Sequence, residues 1–182
     1  MSKRTIEYTT YLDETLSLLV NPGLLLVSQG EDGVPNAMTI GWGTVGVIWG
    51  RRVFTVLVRP SRYTFSRLAQ SDSFTVNLPS RDLYSAVEFC GTRSGRDYDK
   101  FRECEMTVEP SHTIETPGIA ESPVVYECQI VHTTDVINAN LDPEIVDEKY
   151  GTGDFHRVYH GEILRVRAAA NAQEKLGLAQ SA

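Results

Sequence analysis

Two blocks, Pro35-Asn-Ala-Met-Thr-Ile-Gly-Trp-Gly43 and Arg59-Pro-Ser-Arg-Tyr-Thr64, together with the valine-rich run between them, decide how this 182-residue chain is read. Met38 to Trp42 has extended character, and Val53 to Arg59 alternates as a strand does. Pro60 breaks that strand, and Ser61 is placed to cap a helix over Arg62 to Gln70 with Phe65 and Leu68 on one face. The first block offers small side chains, backbone donors and a tryptophan. The second gathers two guanidiniums and two hydroxyls before a helical pattern. Together they suit a flat, phosphorylated aromatic ligand. Two common nucleotide signatures are read as missing, a G-x-G-x-x-G placed between strand and helix and a G-x-x-x-x-G-K-[ST] loop, so such a ligand needs another scaffold.

Working outward, Gly23 to Gln29 is a short apolar run and Glu31-Asp-Gly33 is turn chemistry, so with Met38 to Trp42 they form a hairpin. Ser73 to Leu78 returns to the strand pattern. Ser80-Arg-Asp-Leu83 starts a second helix with Leu83, Val87 and Phe89 or Cys90 as its buried stripe, closed by Gly91. Gly91 to Lys100 is a polar, charged loop leading to a helical turn around Tyr98 to Cys104. Val124 to Thr133 and Arg157 to Arg167 are long strands, the latter with a bulge at His160-Gly161. Asn138 to Phe155, rich in Asp, Glu and Gly, reads as a loop over one end of the sheet. From Ala168 the pattern turns Ala-rich and helical or becomes a tail. Many strands with short helices between them predict one mainly β, antiparallel barrel-like domain, not alternating βαβ units. The chain is long enough for a single core, about residues 15–167, and too short for two.

Composition narrows the function. A net charge of −7 and a pI near 5.1 exclude a general nucleic-acid binder, which needs surplus Lys and Arg. No run reaches the roughly 18 apolar residues of a membrane helix, and the start of the chain does not resemble a signal peptide, so a cytoplasmic location is expected. Cys90, Cys104 and Cys128 are an odd set without C-x-x-C spacing, which fits reduced thiols better than disulfides or zinc.

Four blocks in order carry a resemblance: Asn36-Ala-Met-Thr-Ile-Gly-Trp42, Arg59-Pro-Ser-Arg-Tyr-Thr64, Phe74-Thr-Val-Asn77 and Cys90-Gly-Thr-Arg-Ser-Gly-Arg-Asp-Tyr-Asp-Lys-Phe101. Over about residues 15–167 the chain resembles the flavin reductase-like family, which includes the flavoredoxins and has the FMN-binding split-barrel fold. The resemblance implies a homodimer with non-covalent FMN near the subunit interface, reduced by NADH or NADPH or exchanging electrons with a small-molecule or protein acceptor. It puts the isoalloxazine along Asn36, Met38, Thr39, Ile40, Gly41 and Trp42, with Trp42 either walling the ring or beginning a core strand. It puts the phosphate at Arg59, Ser61, Arg62, Tyr63 and Thr64, with Asn77, Ser94 and Lys100 as further contacts. Two arginines beside Ser61 and Thr64 suit a terminal phosphate, favouring FMN over FAD. No catalytic acid or base is implied, because the flavin carries the chemistry.

Other features are set aside. His156 and His160, four apart on a strand, lie roughly 13 Å from each other and do not chelate one ion. His112 and His132 stand alone with no nucleophile, so hydrolytic chemistry has no support. Cys90 is either a redox thiol or a small buried residue. The carboxylates from Asp142 to Glu148 lack calcium-loop spacing; the acidic excursion they occupy is a solvated loop, a lid or a partner-docking surface.

Overall fold

A computed structural model describes residues 3–177. The predicted hairpin organises the fold. Gly33, at φ 71°, makes the turn, the Asp32 carboxylate accepts from the Val34 N–H at 2.9 Å, and the register runs from Leu24 opposite Ile40 to Gln29 opposite Pro35.

In chain order the elements are β1 (Lys3–Ile6), α1 (Leu12–Val20), β2 (Leu24–Gln29), β3 (Pro35–Ile40), β4 (Gly43–Ile48), β5 (Arg51–Val58), α2 (Tyr63–Leu68) and β6 (Ser73–Leu78). Then follow α3 (Tyr84–Thr92), entered through a 3-10 turn, α4 (Lys100–Glu103), β7 (Val108–Glu109), β8 (Gly118–Ile119), β9 (Val124–Asp135), α5 (Pro143–Lys149), β10 (Arg157–Ala169) and α6 (Ala172–Lys175). The main sheet is antiparallel in the order β3-β2-β6-β9-β10-β5-β4, with β1 beside the far half of β10. β3 and β4 therefore lie at opposite ends of the row, yet only Gly41 and Trp42 separate them in sequence. Three residue steps span at most about 10 Å, so the sheet must roll until its ends meet. The result is a barrel split along the β3/β4 seam. Leu19 of α1 reaches that seam: a Cβ on Gly43 would lie 3.6 Å from its Cδ2 and 2.6 Å from the Thr55 carbonyl oxygen, so Gly43 has no room for a side chain.

Inside the barrel Leu24, Leu26, Phe54, Val56, Phe74, Val76, Tyr126 and Cys128 form the larger core. A second core between β2 and the helices holds Leu25, Val27, Ala37, Val87, Cys90 and Phe101. Because β2 is covered on both faces, Leu24-Leu-Leu-Val27 is continuously apolar instead of alternating.

The predicted bulge is present, with the β9/β10 register shifting between His160 and Gly161, and a Cβ on Gly161 would come within 2.5 Å of Phe74. Other expectations need correction. The strand begun at Arg157 continues through Ala168 and Ala169, because both pair with β1 and Ala168 also pairs with Val124; the helical pattern begins only at Ala172, and residues 178–182 lie outside the described residues. The core thus extends beyond residues 15–167 at both ends. Gly91 does not end α3, which runs to Thr92, and Cys90, not Phe89, completes its buried stripe. Within the excursion Asn138 to Phe155, Asp142 caps α5 by accepting from the Glu144 N–H at 2.9 Å. Gly41-Trp-Gly43-Thr-Val-Gly46 does spell the G-x-G-x-x-G spacing, but it leads into β4, so no helix follows to receive a pyrophosphate.

Candidate functional site

β3 bonds to β2 on one side only, so alternate backbone groups along its other edge are free to meet a ligand. Two adjoining cavities lie there. The first, about 210 Å³, is lined by Met38, Thr39, Ile40, Gly41, Trp42, Leu57, Arg59, Arg62 and His156. The second, about 240 Å³, adds Ser61, Tyr63, Thr64, Ser94 and Lys100, together with Cys90 and the loop through Arg96. They share Met38, Thr39 and Arg62. Neither alone reaches the roughly 300 Å³ of a typical cofactor cleft, but together they do.

The first cavity has an aromatic wall. Trp42 is 40% exposed, which takes it out of the core, and its ring lies 4.9 Å from His156 and 6.5 Å from Tyr150. His156 Nδ1 and the Tyr150 hydroxyl are 2.8 Å apart. Burial, followed by the nearby Arg59 charge, pushes His156 down to about 4, so its imidazole is neutral at pH 7. The wall is aromatic and uncharged at Trp42 and His156, while Arg59 and Arg62 border the same cavity.

The second cavity is cationic, with Arg62, Arg93, Arg96 and Lys100 converging on it. Lys100 is only 5% exposed; its Nζ donates to the Cys90 carbonyl at 2.8 Å, and burial lowers its pKa. Arg96 donates to the Ser61 carbonyl at 3.2 Å and lies over the Tyr63 ring. A Cβ on Gly95 would fall 2.1 Å from Asn36 Oδ1, so only glycine lets the basic loop approach β3 this closely. Cys90 is 1% exposed and burial pushes its thiol up to about 12, which favours the small buried residue of the two readings.

Several predicted contacts have other duties. Asn77 is fully buried, donating to the Leu25 carbonyl at 3.2 Å and accepting from the Ile119 N–H at 2.9 Å, so it ties β6 to its neighbours and lines neither cavity. Asn36 Nδ2 donates to Thr64 Oγ1 at 3.0 Å, fixing the start of α2 from behind the site. Thr39 faces both cavities, but its hydroxyl donates to the Val87 carbonyl. Arg59 opens on the first cavity, not the second, and its donors go to the carbonyls of Lys149 at 2.7 Å and Asp154 at 3.0 Å. Ser61 makes no helix cap; its N–H and hydroxyl both donate to Asp154. The sequence reading missed Leu57 and set His156 aside, because strand alternation does not show which outward residues lie beside the seam. His132, expected to stand alone, faces His160 across β9 and β10 with ring centroids 5.4 Å apart.

Residues 17–182 match the model of the flavin reductase like domain. The chain belongs to this family. The family's split barrel is the fold described above. An uncharacterized protein of Archaeoglobus fulgidus is 31% identical over 142 residues, which are 78% of this chain and 69% of that protein. The flavoredoxin of Methanosarcina acetivorans superposes with a TM-score of 0.64 at 26% identity, covering 82% of this chain and 69% of that one. The FMN-binding domain of a flavin reductases-like enzyme from Shewanella baltica gives 0.64 at 18% identity, with 92% and 77% coverage, a likeness of fold. The family and the flavoredoxin likeness support a flavin-related electron-transfer role.

Proposed function

We propose that the two cavities hold one FMN, ring in the first and phosphate in the second, and that the protein is a cytoplasmic, homodimeric NAD(P)H-dependent flavin reductase. The observation carrying this reading is the pairing of a cavity walled by Trp42 and His156 with a cationic one across a shared boundary of Met38, Thr39 and Arg62. The residues fit the cofactor. The buried Lys100 ammonium and the Arg62 guanidinium suit a phosphate of nearly two negative charges, while the free edge of β3 offers backbone groups to the polar rim of the ring.

When bound, the flavin supplies the redox chemistry, taking a hydride from a nicotinamide and handing electrons on. The chain's own part is positional. Trp42 and His156 wall the ring space and limit water, and neutral His156 adds no charge beside it. Fixed β3 amides are placed to meet negative charge on the ring without reorganising. FMN is preferred over FAD because the cation cluster suits a terminal phosphate.

A second reading, a flavoredoxin-type carrier with a protein partner, is favoured by the likeness to the Methanosarcina flavoredoxin and by the exposed acidic α5 joined to the first cavity through Arg59. An anaerobic absorbance spectrum of the protein with FMN, before and after NADH or NADPH, separates the two. Bleaching within seconds is expected for the reductase. Bound flavin that ignores both nucleotides but accepts electrons from dithionite would replace it with the carrier, and absence of flavin binding would overturn both.

A further inference from the structure

The donors that the sequence assigns to a phosphate already hold an anion from the protein itself. Asp154 Oδ1 accepts from the Ser61 N–H at 3.1 Å and Oδ2 accepts from the Ser61 hydroxyl at 2.6 Å. This two-point grip is the kind an oxyanion makes. Asp154 has φ 58°, in the left-handed region, and follows Gly153 at 78°. The conformation is held from outside: Arg59 donates to the carbonyls of Asp154 at 3.0 Å, Gly153 at 3.4 Å and Lys149 at 2.7 Å, and its guanidinium lies over the Tyr150 ring at 5.0 Å. Lys149 to Asp154 thus form a strap tied to the site by Arg59 and Asp154. Ser61 is exposed and lines the second cavity, so a ligand anion can reach the same donors.

We propose that Asp154 is a built-in competitor for the Ser61 anion seat and thereby sets how strongly the site favours phosphorylated over unphosphorylated ligands. This rests on the phosphate reading of the second cavity. The Ser61 N–H and hydroxyl have one proton each to donate, so they cannot serve Asp154 and a ligand phosphate together. The two anions also repel. A phosphorylated ligand using Ser61 must displace the carboxylate and release one of the two ties on the strap, whereas a ligand lacking phosphate leaves Asp154 in place. The residue therefore weakens the phosphorylated ligand selectively.

The test uses a Trp49→Phe background, in which Trp42 remains as the sole tryptophan of the two in the chain, beside Tyr150 and His156. Inorganic phosphate, FMN and riboflavin are titrated by tryptophan fluorescence into the parent and into Asp154→Asn, which tolerates the same backbone conformation and keeps an acceptor but loses the charge. Asp154→Gly, which relieves the left-handed strain, serves as a second variant. The expected result is phosphate and FMN binding about tenfold tighter in both variants, the scale of one charge-assisted hydrogen bond, with riboflavin unchanged. Equal phosphate affinity in parent and variants would overturn the proposal, as would FMN and riboflavin weakening together, the mark of a purely structural Asp154. If no flavin binds the parent but the phosphate effect appears, the flavin reading fails while the competition stands.

Discussion

Single side chains divide the site's work between gripping charge and shaping space. Arg62 borders both cavities and has no carboxylate partner among the described residues. Arg62→Ala should weaken FMN binding by about 1.5–3 kcal/mol, the range for a hydrogen bond to a charged group; unchanged affinity by flavin fluorescence titration would remove it from the phosphate. Trp42→Ala should shift the absorption band of bound flavin by unwalling the ring. Gly95→Ala should displace the basic loop from Asn36 and Tyr63 and weaken FMN while the melting temperature changes little. His156 gives a pH signature. Its folded pKa, about 4, lies below the ordinary 6.5. Above pH 6.5 it is neutral folded and unfolded and adds no pH dependence. Between 6.5 and 4 the unfolded chain binds the proton first, so stability falls with pH by on the order of 2–3 kcal/mol. His156→Gln should flatten that part of the urea-denaturation profile; an identical slope would refute the assignment.

Elements differ in how much they depend on one another. β2 is packed on both faces, so Leu26→Ala should cost about 2–5 kcal/mol, whereas Val20→Ala, at a site 85% exposed, should stay within about 0.5 kcal/mol by the same denaturation assay. The far half of β10 depends on charge. Arg167 Nε lies 2.6 Å from Glu127, Lys3 Nζ lies 2.7 Å from Glu109, and Glu127 also accepts from the N–H groups of His112 and Thr113. Glu127→Ala would remove one of the two carboxylates that face the buried Arg167 guanidinium, leaving Glu109 at 3.2 Å, and would leave the His112 and Thr113 N–H groups without their acceptor, so it should cost about 3 kcal/mol by the same assay. This network was invisible in sequence, since its members come from β1, β7, β9 and β10 and meet only after the sheet rolls.

At the scale of the whole molecule, a protein of net charge −7 concentrates Arg62, Arg93, Arg96 and Lys100 at one cavity. FMN affinity should accordingly fall as salt is raised from low to physiological ionic strength, with riboflavin far less affected. Sequence by itself determined the strand-rich class, the β2/β3 hairpin, the bulge at His160-Gly161 and the basic and aromatic blocks, because each is written in local periodicity, turn chemistry or composition. Tertiary structure alone decided that β3 and β4 stand at the two ends of one sheet, that His156 joins Trp42 in the wall of the first cavity, that Asn77 lines neither cavity, and that Arg59 and Ser61 are engaged by the strap around Asp154. Those facts depend on which distant backbone groups and charges the rolled sheet brings within hydrogen-bonding reach. Side-chain spacing along the chain carries no measure of that distance.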